Sequence, residues 1–526
     1  MTVTHAEPSQ RKTIDIGDGL IMRWSTKADT DNVVDLVSRS FRWLPLGDPL
    51  PEDSIPDPNE FVKAAARRLL SGKNAVMSEY DCALVEDTKR GKGKNPIVAC
   101  VSLHRCQVYY GSVKFFVGKP EMIATDTSYR NQGFVRRLLY EVVHPESETR
   151  GDAFQFISGI QHFYRQFGYE YGIGCDSVGT IESPDFVPAL GKDKSEPFIL
   201  RTATQDDLPL LNRLSSPERL HHNSVMGLLY TPEYWQWTVH DIFQDKQSRF
   251  DCILRDTRII VEAGSGKAIG FTVVSYAFVS PQLEAVALED DADYVHVIYP
   301  ALRQLFAQSK EIIELAAKER EVAKNKNQLA DKAATNNTTA PVEAKSVPFK
   351  FYVALHERHP FCQLLGKNLT LRPNIPGYKL YTRIHSYPAF VKTVTPELEK
   401  RLSNSALAGV TGRLRLDFFR QVEGSSGRGL EVFFERGKVV DATEWVNPSP
   451  EGQLEEKLAW KKAGITPTIY YATFAPLTFT LLMTGRRSLE ELQWAYGENY
   501  VKDDETRLLL NTLFPNGHHR FDQHYW

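Results

Sequence analysis

Residues 122–140 read MIATDTSYRNQGFVRRLLY. A short apolar strand over 122–125 ends at a polar turn holding Arg130, Asn131, Gln132 and Gly133, and a helix then opens with Val135, Leu138 and Leu139 on its apolar side. The first N–H groups of a helix lack intrahelical acceptors, and the helix dipole favours negative charge beside them. Such a turn is therefore an anion site. Gly133 lets a ligand approach the backbone with no Cβ in the way, and Arg130 and Arg136 add positive charge. A pyrophosphate is the natural occupant. Taken alone, the segment can equally be an ordinary strand–turn–helix with basic surface residues.

Downstream, residues 153–157 read as a strand, followed by His162-Phe163-Tyr164-Arg165-Gln166-Phe167-Gly168-Tyr169; the plain reading of Tyr164 and Tyr169 is amphipathic core. Upstream, residues 20–24 form a strand, Asp29 or Thr30 offers an N-cap, and Val33, Val34, Leu36, Val37 and Phe41 follow at helical spacing. Residues 45–58 read as loop and 61–70 as a second helix. Strands follow over 83–85, 97–103 and 113–117.

The segment 182–197 is rich in Pro and charge, and the pattern then restarts with a strand over 198–201 and a helix through Leu208, Leu210, Leu211 and Leu214. This echo of residues 20–41 suggests an internal duplication. Residues 318–346 carry no aromatics and have linker or disordered-insert composition. A third unit starts near Pro388, with Pro396 opening a short helix, strands over 414–422, 430–434 and 439–442, and helices over 477–483, 489–492 and 506–513. The predicted fold class is α+β, or mixed α/β.

Composition narrows the function. The 526 residues carry 63 Lys+Arg against 66 Asp+Glu, a net charge of −3 that argues against a nucleic-acid coat protein. No apolar run approaches the roughly 18–20 residues of a membrane span, and the start MTVTHAEPSQRKT shows no apolar signal core. Six scattered cysteines form no CxxC pair, so neither a disulfide framework nor structural zinc is expected, and a cytoplasmic location is. His518, His519 and His524 crowd the end without a carboxylate or thiol at ligand spacing. They read as surface or pocket-lining residues, and no metal is expected.

The run Arg130-Asn131-Gln132-Gly133-Phe134-Val135-Arg136 resembles the acyl-CoA signature of the GNAT acetyltransferase superfamily. Val135 departs from the usual small residue there, and the Gly-Phe-Val-Arg helix start is similar to the Eis-like branch, R-x-x-G-[LF]-x-R. The run around Tyr164 is similar to the second GNAT landmark. The resemblance extends over most of the chain. It implies tandem GNAT folds, the second degenerate, then a sterol-carrier-like α+β domain. On that division, 1–14 is a disordered tail, 15–185 the catalytic domain, 196–387 the second domain with the insert at 318–346, and 388–526 the C-terminal domain.

The resemblance further implies an N-acetyltransferase in which a primary amine attacks the thioester of acetyl-CoA directly. Residues 130–136 would hold the pyrophosphate. Backbone groups of Ile123, Ala124 and Thr125 would hold the pantetheine and polarise the thioester. Tyr164 would protonate the leaving thiolate, since a phenol of pKa near 10 stays protonated at neutral pH. The carboxylate of Trp526 would be the general base, with Asp522 and His524 as rivals. The expected partner is the amine acceptor, with no nucleic acid and no membrane span; a homo-oligomer is left open. The competing reading is a non-catalytic acyl-CoA or lipid-binding scaffold on the same fold.

Overall fold

The computed structural model of the chain describes residues 11–41, 59–175, 179–220, 224–241, 254–277, 280–332, 350–356, 358–371, 379–419, 428–464 and 466–521. Two units result, neither contiguous: Met1–Cys175, Asn223–Tyr230 and Tyr378–Trp526 form the first, Asp176–His222 and Thr231–Gly377 the second. The expected boundaries at 185, 196 and 387 therefore do not delimit them. Strand pairing decides this: Gly179–Ile181 pairs within the second unit's sheet, and Lys379–Arg383 within the first's.

In the first unit, β1 Ile14–Gly17, β2 Leu20–Trp24, β3 Cys82–Asp87, β4 Ile97–Tyr110, β5 Val113–Thr125 and β6 Gln155–Ile157 lie side by side in that order, followed by Lys379–Arg383 and then β7 Glu170–Gly174. The chain of pairings is antiparallel except at β5–β6. α1 Thr30–Ser40 and α2 Glu60–Leu69 cover one face, burying Val33, Val34, Val37 and Leu69 against Leu84, Cys100 and Met122. On the other face, α3 Phe134–Arg137 runs on through a π-helical turn, Leu138–Val143, into α4 His144–Thr149. Leu138, Leu139 and Val143 pack there on Val85, Val101 and Leu103. Pro145 has no N–H to give the helical ladder, and just before it the His144 N–H reaches back to the Leu139 carbonyl, a wider turn than the α-helix makes.

The second unit repeats the plan. Its strands Phe198–Thr202, Leu254–Glu262, Ala268–Ala277, Ser280–Leu288 and Phe351–Val353 stand in the spatial order of β2 to β6, and again the fourth and fifth pair in parallel. Helices separate the first two strands and the last two. Each unit also opens with one hydrogen-bonded device. The Arg23 guanidinium donates to both Asp29 oxygens at 2.8 and 2.7 Å, and Asp29 accepts from the Thr26 N–H and hydroxyl. Arg201, Asp207 and Thr204 do the same at the same spacing. Burial alone would raise the Asp29 carboxyl, but Arg23 and Thr26 outweigh it and hold it below the usual carboxylate range.

Its contribution to stability is therefore complete above the unfolded-state value of about 4 and is lost as pH falls through the folded value. Asp29→Asn leaves the half-buried Arg23 guanidinium with Glu86 as its remaining carboxylate partner and is expected to cost on the order of 2 kcal/mol at pH 7. Urea midpoints at pH 7 and pH 3 should show the deficit at the first pH and its shrinkage at the second.

The second unit's helix Tyr294–Lys332 runs into the segment whose composition predicted a linker; the rest of that segment lies outside the described residues. Of the tail expected to be disordered over 1–14, residues 1–10 also lie outside them, whereas Arg11 donates to the Tyr80 carbonyl and Ile14 starts β1. In the first unit a five-stranded sheet, ordered Lys438–Glu444, Gly429–Glu435, Gly412–Phe418, Ile469–Phe474, Tyr500–Val501, forms among the described residues after Tyr387–Ser403. Pro396 lies inside that helix and does not open a short one.

Candidate active site

Three features of the first unit converge at the end of β5. The first is a bulge. Cys100 pairs with Ala124 and Ser102 with Glu121, so Met122 and Ile123 together face Val101. Met122 takes φ 47°, uncommon for a side chain of its size. Its carbonyl accepts the Cys100 thiol at 3.3 Å. A bulge of this kind bends the strand and re-aims its backbone and side chains.

The second is a divergence. β5 and β6 share one register position, Gly118 opposite Gln155, while the other edge of β6 pairs along its whole length with Lys379–Arg383. Glycine is required at the junction, because a Cβ there would lie 2.6 Å from the Ser147 hydroxyl and 3.0 Å from Asp152 Oδ2. Asp152 pins this corner by accepting from Ser147, Arg150 and Arg105 at 2.6, 2.5 and 3.2 Å. Past Gly118, β5 pairs among the described residues with β4 alone. Its other edge, through Ile123, Ala124 and Thr125, offers backbone groups to an added extended chain.

The third is the turn between β5 and α3. Asn131 and Gly133 adopt φ 62° and 77°, alternating with right-handed or extended neighbours so that successive N–H groups converge on a concavity. A Cβ at Gly133 would meet nothing within 4 Å, so the space over the turn is open. Arg130, Asn131 and Gln132 are exposed, while Phe134 is buried and anchors the helix start beside the Tyr129 ring. Arg136 donates to Gln166 at 2.7 Å and lies over the Phe167 ring, so it braces the next segment as well as adding charge.

That segment is the 3₁₀ turn Phe163–Phe167. It buries Tyr164 among Phe163, Tyr169 and Tyr381. The Tyr164 ring closes over Gly159, where a Cβ would sit 2.9 Å from the ring and 3.4 Å from the hydroxyl. Below it, Tyr171 and Tyr381 stack at 4.1 Å with their hydroxyls 2.7 Å apart, and the Tyr381 hydroxyl reaches the Ile160 carbonyl. Burial, then the bond to Tyr171, pushes the Tyr381 phenol well up.

The sequence reading missed the polar floor beside the bulge. On the α1–α2 face, Glu121 pairs with buried Lys119 at 3.1 Å and accepts the Ser158 hydroxyl at 3.3 Å. Ser102 donates to the Glu121 carbonyl, and His104 lies 3.3 Å from the Ser102 hydroxyl. Burial, reinforced by Lys119, keeps the His104 ring neutral. Ser158 precedes Gly159, so the Glu121 and Tyr164 positions adjoin through two residues. The signal was present as Lys119 and Glu121 two apart in an apolar strand, which puts two charges on one face. Above Glu121 and Met122, between α1 and α2, lies a cavity of about 150 Å³ walled by Val37, Val62, Ala66 and Leu69.

Trp526, Asp522 and His524 lie outside the described residues. The end of the described chain is held beside the site: Phe521 packs edge-on against Phe156 at 5.3 Å. His519 is buried and not a surface residue. Its Nδ1 accepts the Gly174 N–H and its Nε2 donates to the Thr484 carbonyl at 2.7 Å. Burial lowers that ring to about 4.

Residues 22–172 match the family model of the acetyltransferase (GNAT) domain. The chain carries a GNAT acetyltransferase domain. No curated protein matches it. Its fold is similar to that of a conserved protein of unknown function from Enterococcus faecalis, described as a probable N-acyltransferase (14% identical, 97% of this chain and 100% of that one, TM-score 0.58). It is also similar to a GCN5-related N-acetyltransferase from Kribbella flavida (15%, 95% and 99%, 0.54) and to Eis1 from Mycobacterium abscessus (10%, 95% and 98%, 0.50). Among the described residues no helix is long and apolar enough to cross a membrane.

Proposed function

We propose that the chain is an acetyl-CoA-dependent N-acetyltransferase of the Eis-like type, in which a primary amine attacks the thioester directly. The observation that carries this reading is the divergence of β5 from β6 between a phosphate turn and a cavity floored by a carboxylate. The pyrophosphate would sit on the N–H groups of residues 131–136 beside Arg130. The pantetheine would pair with the free edge of Ile123, Ala124 and Thr125, which brings the thioester to the bulge. The amine would enter from the cavity side, held as ammonium by Glu121. Tyr164 would protonate the departing thiolate, and the Trp526 carboxylate would take the proton from the amine. Supporting the last role, Phe521 is fixed on Phe156, two residues before Ser158. The remaining five residues span up to about 17 Å when extended.

The repeated strand order and the Arg–Thr–Asp device support reading the second unit as a degenerate copy of the first. Between its fourth strand and the following helix stands Glu289-Asp290-Asp291-Ala292-Asp293, at the place occupied in the first unit by Arg130 to Gly133. This run offers neither the glycine nor the arginine of that turn, and Glu289, Asp290 and Asp291 already occupy Arg213, Arg219 and Lys267, so one CoA per chain is expected. Titration calorimetry should give a single site. Arg130→Glu should weaken it by about tenfold or more, as loss of a charge-assisted contact does, with the melting temperature unchanged because Arg130 is exposed. Thiol release from acetyl-CoA across a panel of amines, with mass detection of product, tests the activity; CoA binding without transfer to any amine would favour the scaffold reading. The five-stranded domain after Tyr387–Ser403 is the counterpart of the sterol-carrier-like domain in this proposal.

A further inference from the structure

The cavity above the bulge has a composition that selects its ligand. Its walls are aliphatic or aromatic, from Val37 on α1, Val62, Ala66 and Leu69 on α2, and Met122 on β5. Among the described residues its one ionisable lining group is Glu121, whose side chain is 23% exposed. Glu121 is already half satisfied: Lys119 sits 3.1 Å from one oxygen and Ser158 donates to the carboxylate. The floor therefore offers one partly neutralised carboxylate, enough for one ammonium and insufficient for several. Charges elsewhere on the two helices do not add to it. Asp31 is paired with Arg67, Asp35 with Arg39 and Glu60 with Lys63. Burying a second cation against apolar walls without a partner is costly, whereas each apolar group buried there is favourable. The volume, about 150 Å³, is that of a cavity able to hold a benzene-sized body.

We infer that the acceptor is a primary monoamine on a compact apolar body, of the arylalkyl or branched-alkyl class, rather than a polyamine or a polycationic aminosugar. This rests on the acetyltransferase reading only in calling the ligand an acceptor; the pocket's preference stands on its lining. The ammonium would lie on Glu121 at the β5 bulge, with the apolar body between α1 and α2.

The test uses the full chain, with 2-phenylethylamine, 3-methylbutylamine, spermidine and kanamycin as probes. Calorimetry on the CoA-loaded protein reads binding; mass-detected acetyl transfer reads kcat/KM. The two apolar monoamines should bind, and should exceed spermidine and kanamycin in kcat/KM by about tenfold or more, the discrimination an apolar pocket provides. Val62→Phe fills the cavity from a partly buried position and should weaken 2-phenylethylamine by a similar factor, with CoA affinity and melting temperature retained. Val62→Ala, which cannot overpack, should leave room and favour the larger of the two monoamines. Binding of 2-phenylethylamine that Val62→Phe abolishes, without acetyl transfer to any amine, would uphold the pocket and overturn the acetyltransferase reading. Transfer to spermidine or kanamycin with no binding of either monoamine would overturn the inference and leave the acetyltransferase reading intact. Monoamine binding indifferent to Val62→Phe would also overturn it.

Discussion

Tyr164→Phe is expected to lower kcat by about 10²–10⁴-fold, the usual cost of removing a general acid, while KM for acetyl-CoA moves little. At about 1.4 kcal/mol per decade this is a loss of roughly 3–5 kcal/mol of transition-state stabilisation. The split follows from where the groups lie. In the proposed reading the turn at Asn131 and Gly133 and the free edge of β5 would hold parts of CoA that do not change during the reaction, and Tyr164 would contribute to neither. Its ring is buried among Phe163, Tyr169 and Tyr381, and phenylalanine keeps all of those ring contacts. The variant should therefore fold and bind CoA normally. Steady-state kinetics beside CoA calorimetry check this, and near-normal turnover would show that water or another group protonates the thiolate.

How far the sequence revealed this arrangement depended on whether a feature is local. The turn at Arg130 to Gly133 and the helix after it were legible because an Arg, a Gly and an apolar-periodic helix are all within a dozen residues. The burial of Tyr164 in an aromatic turn was legible for the same reason. The echo between the two units showed as a strand with an Arg near its end before an acidic helix start, and its counterpart in the structure is the ion pair made by Arg23–Asp29 and by Arg201–Asp207. The exchange of Gly179–Ile181 and Lys379–Arg383 between sheets was not legible, because a strand of three to five residues carries no statement of its partner. The helix Pro450–Lys462 buries none of its side chains and so has no apolar stripe to read. Ile469–Phe474 was not read as a strand from the sequence. Glu121 was missed because its importance comes from the bulge after it, which sets it beside the cavity; bulges have no sequence signature of their own.

The largest remaining effect concerns the proton taken from the amine, and two carboxylates compete for that role. Glu121 faces the cavity, where Lys119 at 3.1 Å and Ser158 at 3.3 Å fix the position of its carboxylate. A carboxylate held in place by two partners is suited to binding and orienting an ammonium. The terminal carboxylate of Trp526 follows Tyr525, and two aromatics suit it to a desolvated position where its basicity would rise. The assignment of Glu121 as anchor and Trp526 as base makes opposite predictions in kcat and KM. Glu121→Gln should raise KM for the amine by about tenfold to a hundredfold, the worth of a charged hydrogen bond, with kcat nearly unchanged. Appending three glycines after Trp526, or deleting Tyr525 and Trp526, should lower kcat by about 10²–10⁴-fold with CoA affinity intact. The pH profile of kcat should also lose its acidic limb in the extended protein, because that limb reports deprotonation of the base. If instead the extended protein keeps full kcat and Glu121→Gln removes both turnover and the acidic limb, Glu121 is the base and the Trp526 carboxylate takes no proton.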